Sequence, residues 1–345
     1  MLLLAVALAV QIAPPAPGTA YRQPQLAVAR DKVGVAFGAG DDIYFTASTD
    51  GGKTFPAPVK IPTGGKMALG RHRGPRVAIA GDAIVISAPV GAKGGGADGD
   101  IMAWRSTDGG KTWAGPVRVN DQAASAREGL HALAAGRDGT LFATWLDLRE
   151  GRNQLYGAKS TDGGVTWGKN VRVYHSPDGH ICECCHPSAM IAPNGDIYAM
   201  WRNWLGGSRD LYLAVSTDGG ATFQEQKLGE GTWPLYACPM DGGGVAWDAS
   251  GKPVTAWRRD KAVFVAAAGA REREVGAGKD PSIAAGREGA FVAWSTPEGL
   301  ELLRPGAAAP ETLATGGEYV NLAAGARVFA AWESKGIIYV QALSR

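Results

Sequence analysis

The densest group of reactive side chains in the sequence is His180-Ile181-Cys182-Glu183-Cys184-Cys185-His186, followed by Pro187. The fourth and last cysteine comes later, in Cys238-Pro239-Met240-Asp241. Thiols that meet in an oxidising compartment pair, and four of them allow three pairings. A bond between the adjacent Cys184 and Cys185 is disfavoured by its strained vicinal geometry, which leaves two pairings that use Cys238 and separate those neighbours. The same atoms are also a soft-metal set. Cys182, Cys184, Cys185 and Cys238, with His180, His186 and a nearby thioether, suit Cu(I) or Zn(II). Two disulfides are the first expectation, a Cu or Zn site the second, and a mixed or redox-active arrangement the third. Further unusual residues gather at Arg71-His72-Arg73, Asp147 to Asn153 and Arg202 to Arg209, the last overlapping the aromatic-charged run Trp201-Arg202-Asn203-Trp204. No nucleotide-binding loop, Ser-His-Asp arrangement or HExxH helix is legible.

These residues must be held by something, and the sequence says what. Ser106-Thr107-Asp108-Gly109-Gly110-Lys111-Thr112-Trp113 returns as Ser48 to Phe55, Ser160 to Trp167 and Ser216 to Phe223. Asp50, Asp108, Asp162 and Asp218 lie 58, 54 and 56 residues apart. Asp-Gly-Gly makes a tight turn whose glycines are free to take positive φ. The carboxylate and the Ser and Thr hydroxyls satisfy backbone N–H groups inside the turn, so the unit closes on itself. The final Trp or Phe drops apolar surface between sheets.

A broader period lies behind the turns. Strand-like apolar runs end at Trp145, Trp201, Trp257, Trp294 and Trp332, with Phe37 and Ala88 in the same slot of the first two units. Five aromatics at one repeat position are read as packing between sheets, not as a sugar platform. Units start near Pro24, Pro75, Leu130, Pro187, Gly242, Pro281 and Val320, at about 46 residues each, enough for one four-stranded sheet. The last unit lacks an outer strand, which a segment near the N-terminus could supply. Short hairpins such as Pro193-Asn194-Gly195-Asp196 share a face with the Asp-Gly-Gly turns. The longer loops carrying the unusual residues lie on the opposite face, and function tends to reside on such loops.

The turn motif resembles the Asp box, S-x-D-x-G-x-T-W, of the sialidase-like (BNR repeat) β-propellers. That resemblance implies an all-β chain folded as a β-propeller of four-stranded antiparallel blades, seven by the repeat count or six as in family sialidases. It also implies a site on the face away from the boxes. Tyr21-Arg22-Gln23-Pro24 is similar at three of four positions to the family's [FY]-R-I-P motif, whose Arg grips a substrate carboxylate through its two-pronged guanidinium. Arg202 and Arg258, each just after a strand-ending Trp, are the candidates for the two further arginines. Asp41 or Asp42 would be the acid/base, and Tyr319 the nucleophile with Glu128 as its activating partner, outside the usual two-carboxylate scheme.

The resulting expectation is an exported exo-α-sialidase-type glycosidase acting on terminal acidic sugars. Its alternative is a non-catalytic glycan- or protein-binding propeller with the cysteine cluster on its rim. The apolar run Leu2 to Val10 and the small residues up to Ala20 read as a signal segment, 1–20, leaving one domain over 21–345. Location would be periplasmic or extracellular. A net charge of +2 and no basic run argue against nucleic acid. The expected partner is a glycan or glycoprotein, with no membrane insertion, a monomeric chain, and no cofactor beyond Cu or Zn at the cluster.

Overall fold

Seven antiparallel sheets follow one another along the chain, and the computed structural model describes them over residues 8–16 and 18–344. Blade one comprises Arg22–Ala29, Lys32–Ala39, Asp42–Ser48 and Val59–Ile61. Blade two is Arg76–Ala80, Ala83–Gly91, Asp100–Ser106 and Ala114–Arg118, with the short strand Lys66–Met67 added against Val90 and Gly91. Blade three is His131–Ala135, Leu141–Asp147, Gln154–Ser160 and Val171–Tyr174. Blade four is Ser188–Ile191, Ile197–Arg202, Leu211–Ser216 and Gln224–Lys227. Blade five is Gly243–Trp247, Pro253–Arg259, Ala262–Ala267 and Arg273–Ala277, and blade six is Lys279–Gly286, Gly289–Ser295, Gly299–Leu303 and Glu311–Thr315. Blade seven takes Glu318–Ala324, Val328–Ser334 and Ile337–Ala342 from the C-terminal end. Its fourth strand is Val10–Ile12, paired antiparallel with Ile338–Val340. The ring is a seven-bladed β-propeller, and no helix among the described residues is long and apolar enough to cross a membrane.

The closing strand does come from near the N-terminus, but from inside the segment expected to be removed as a signal. Ile12 is buried against Leu26, Phe37 and Phe329, so cleavage after Ala20 would take a core residue with it. The greater part of the expected apolar leader, residues 1–7, lies outside the described residues.

The turn motif works as its residue types dictate. In the second box Ser106 Oγ donates to Asp108 Oδ1 (2.8 Å) and accepts from Gly110 N–H (2.9 Å). Asp108 also accepts from the N–H groups of Lys111 and Thr112 and from the Thr112 hydroxyl. These hydrogen bonds hold the carboxyl well below its ordinary range, and the other three boxes repeat the pattern. The second glycine of each box has a packing reason too. A side chain at Gly52 would meet Phe329 of blade seven, and one at Gly110 would meet Phe45 of blade one. With Gly164 against Val85 of blade two, the first three boxes thus seat their blades on the preceding ones. Trp145, Trp201, Trp257, Trp294 and Trp332 are all buried, with Phe37 and Ala88 in the same slot, and they fill the spaces between blades.

Candidate functional site at the channel mouth

The first strands of all seven blades surround a central cavity of about 230 Å³ on the face opposite the boxes. Its rim is built by a device repeated in three adjacent blades. The first strands of blades six, seven and one each carry a bulge, at Lys279 to Ser282, Glu318 to Asn321 and Arg22 to Gln25. Each bulge places a non-glycine residue in the left-handed region: Asp280 at φ 54, Tyr319 at φ 55 and Gln23 at φ 57. An extra residue in a strand re-aims a side chain, and such backbone costs about 1–3 kcal/mol per position. All three side chains line the cavity. Two residues further on, Ser282 Oγ and Asn321 Oδ1 accept the N–H groups of Leu322 and Leu26, stitching the blades together below the rim.

His72, from the long loop before blade two and itself at φ 65, reaches across to this rim. Its Nε2 lies 2.8 Å from Asp280 Oδ1. Burial opposes ionisation of Asp280, but the hydrogen bond from His72 outweighs it and holds the carboxyl below its ordinary value. An imidazole giving its Nε2 hydrogen to that carboxylate keeps Nδ1 as a proton acceptor. The His72 ring stacks on His186 (centroids 4.4 Å apart) and meets Tyr319 edge-on (5.1 Å). Burial, followed by the charges of Glu318, Glu333 and Asp280, raises the Tyr319 phenol above its usual range. Three buried polar atoms on the cavity wall have no partner: Gln23 Nε2, His186 Nδ1 and Ser188 Oγ. Unpaired polar groups in such a place are an invitation to a polar ligand.

A second cleft of about 770 Å³ runs between the ends of blades five, six and seven and shares Asp280 and Tyr319 with the central cavity. Arg258, Lys261 and Lys279 stand along it, opposite Glu298 and Glu318.

The expected site residues separate into different places. Arg22 is at the rim, its guanidinium half exposed, with Nε donating to Glu333 Oε1 at 2.6 Å. Glu333 Oε2 also accepts the Gln23 N–H, and burial nevertheless raises the Glu333 carboxyl above its ordinary value. Arg258 reaches the cleft, bonded through Nη1 to Asp241 (3.3 Å) and through Nε to the Asp260 carbonyl. Arg202 is buried, donating to Asp241 Oδ1 (2.8 Å) and to the carbonyls of Arg209, Arg258 and Asp241. It holds blades four and five together and lines neither the central cavity nor the cleft. Asp42 pairs with Lys60 on the outer strand of blade one (2.6 Å), and neither it nor Asp41 lines the cavity. Glu128 pairs with Arg73 (3.4 Å) and Arg127 (3.7 Å). The groups at Tyr319 are His72, Asp280, Glu318 and Glu333 instead. The loop Asp147 to Glu150 is a support: buried Asp147 accepts from Ser125, Trp145 and Arg149.

The cysteines do converge. Cys182, Cys184 and Cys185 are buried in the loop before blade four, with Sγ separations of 3.0 Å (182–185), 3.7 Å (182–184) and 4.0 Å (184–185). Met240, from the loop before blade five, packs against this cluster, and Cys238 from the same loop lies beside Cys184 and is exposed. Burial resists ionisation of Cys182, yet hydrogen bonds from Cys184 and Cys185 and the Arg209 guanidinium (Nη1 to Sγ 3.0 Å) hold its thiol well below the usual range. His180 lies beside this loop, stacked on Trp204. His186 turns away, to the channel.

Asp280 and Glu333 were not legible as site residues, and His72 and Gln23 lay in segments singled out for their arginines without a role of their own. A weak signal existed: Gln23 and Asp280, like His186, each precede the proline that opens a blade. That residue sits where the chain turns onto the channel wall, and proline restricts its backbone.

Residues 76–239 match the model of the BNR repeat-like domain. No curated protein matches the chain. Among solved structures, an α-L-arabinanase of Penicillium chrysogenum is similar at TM-score 0.60 and 16% identity, over 99% of this chain and 98% of its own. An ulvan lyase of a new polysaccharide lyase family is similar at TM-score 0.60 and 12% identity, over 97% and 98%. A Hadza microbial sialidase is similar at TM-score 0.55 and 15% identity, over 90% and 73%. At such identities the likeness is one of fold.

Proposed function

We propose that this sialidase-like BNR-repeat propeller is a glycan-acting enzyme, with its site where the central cavity meets the cleft of blades five to seven. The observation that carries the proposal is the row of three equivalent bulges. Blades six, seven and one each accept an unfavourable backbone conformation to bring Asp280, Tyr319 and Gln23 to one rim. Orphaned polar atoms line the cavity beneath, as a hydroxyl-rich ligand requires. The glycan-acting names of the similar propellers point the same way.

The finer proposal is hydrolysis of a terminal acidic sugar. Arg22 at the rim and Arg258 in the cleft are cations placed for a carboxylate, Arg22 through the guanidinium edge not used by Glu333. The Tyr319 oxygen would bond to the anomeric carbon as the glycosidic C–O bond breaks. Its phenol is held protonated by burial and by its acidic neighbours, so attack needs a base. His72, oriented by Asp280, takes that proton and passes it to the departing oxygen. Water, giving its proton to the same imidazole, then bonds to the anomeric carbon as the tyrosine C–O bond breaks, and the imidazole returns that proton to the Tyr319 oxygen. Export, inferred from the Leu2 to Val10 run, belongs to the same proposal.

Release of 4-methylumbelliferone from its sialoside, beside a panel of neutral and uronic-acid glycosides, tests it. Turnover by the wild type with loss in Tyr319→Phe and Arg22→Ala supports the assignment. No turnover of any acidic-sugar glycoside, with glycan binding retained, favours a binding propeller. Turnover that survives Tyr319→Phe removes the nucleophile assigned here.

A further inference from the structure

We propose that Cys182, Cys184 and Cys185, together with the Met240 thioether, bind one Cu(I) ion. This site is separate from the channel mouth and independent of any reaction there. The three Sγ atoms all lie within 4.8 Å of one another, the one His/Cys/Asp/Glu group so spaced among the described residues. Separations of 3.7 and 4.0 Å are those of sulfurs around a shared ion, since metal–sulfur bonds of about 2.3 Å place their ends about that far apart. The remaining pair, Cys182 and Cys185 at 3.0 Å, is closer than that and has to part for both sulfurs to reach one ion. A thioether joins the three thiols, Met240 packing on their cluster from a non-glycine left-handed residue at φ 60.

The rest of the loop is built to keep them there. The Ile181 N–H donates to the Asn153 carbonyl (2.9 Å) and the Cys182 N–H to that of Arg202 (3.1 Å), anchoring the loop to blades three and four. Arg209, fixed over Trp204, supplies positive charge 3.0 Å from Cys182 Sγ, as a thiolate requires and a disulfide does not. Buried thiolates without a carboxylate oxygen suit Cu(I) and Zn(II) alike, and the thioether, absent from the Cys, His and carboxylate sets of zinc sites, favours Cu(I). Cys238 stands at the edge of a hollow of about 240 Å³ with His180, Trp204 and Arg209, beside Cys184, giving the ion a route from solvent.

The test uses the full chain, reduced and handled without oxygen, titrated with Cu(I) against a colorimetric Cu(I) chelator, with Zn(II) against a zinc dye in parallel. One Cu(I) per chain is expected, with X-ray absorption showing sulfur neighbours at about 2.3 Å. Cys185→Ser should abolish binding, and Met240→Leu, which preserves the packing, should weaken it at least about tenfold. Near-UV circular dichroism checks that both variants fold. Failure to retain Cu(I), tighter binding of Zn(II), or Cu(I) binding unchanged in Met240→Leu and Cys185→Ser overturns the proposal. So does an untreated protein whose intact mass rises by four hydrogen atoms on reduction, the signature of two disulfides.

Discussion

Mild acid should loosen this propeller through one residue beneath the channel. His131, in the first strand of blade three, has no exposed surface. Its Nε2 faces Ser87 Oγ at 3.0 Å, and the Arg76 guanidinium bonds its carbonyl. Burial, and then the charge of Arg76, push the imidazole pKa down to about 3 from 6.5. The unfolded chain therefore binds a proton between those values that the native chain refuses. Stability is fully present above pH 6.5 and is lost as pH falls, by about 1.4 kcal/mol per unit. From pH 7 to pH 5 the loss is about 2 kcal/mol from His131, and His186, also depressed by burial first, adds in the same direction. The Asp-box carboxylates do not interfere, because their depressed pKa values cost stability only as pH falls through about 4 and below. Guanidinium unfolding of the wild type and His131→Gln at both pH values reads the effect. The variant should lose about 2 kcal/mol less between pH 7 and pH 5. An identical pH dependence in the two proteins, at equal denaturant slope, would refute the reasoning.

The remaining predictions concern the rim and the ring. Asp280→Asn keeps the shape but not the charge that orients His72, so turnover of an acidic glycoside should fall about a hundredfold or more with little change in KM; an unchanged kcat removes the His72–Asp280 pair from the reaction. Arg202→Ala leaves Asp241 buried with only Arg258, and should cost about 3–5 kcal/mol in chemical unfolding. Arg22→Ala, on a half-exposed side chain, should lower activity while costing about 1 kcal/mol or less of unfolding free energy, since Glu333 can take up a proton; equal effects of the two arginines on stability would contradict their separate roles. A chain starting at Tyr21 should be less stable by about 2–3 kcal/mol than one starting at Leu8, because it lacks Ile12 and the closing strand. N-terminal sequencing of exported protein then shows whether processing spares Val10.

What the sequence determined by itself is everything that depends on residues near one another in the chain. An Asp box closes with hydrogen bonds among eight consecutive residues, so its motif is its structure. The Trp slots recur because each blade buries the same position, and the blade starts near Pro24, Pro187 and Pro281 follow from that period. The meeting of the cysteine loop with Met240 was legible for the same reason, since both segments open consecutive blades. Tertiary structure decided the rest. His72 meets Asp280 across 208 residues, and Arg22 meets Glu333 across 311, through closure of a ring that no local pattern encodes. Arg202 and Arg258 look alike in sequence, each after a buried Trp. Asp241 draws one wholly into the core and leaves the other at the cleft. The three bulges depend on how each first strand registers with its partner. A one-residue change in that register moves a side chain from the sheet to the channel, and pairing across the finished blade selects it.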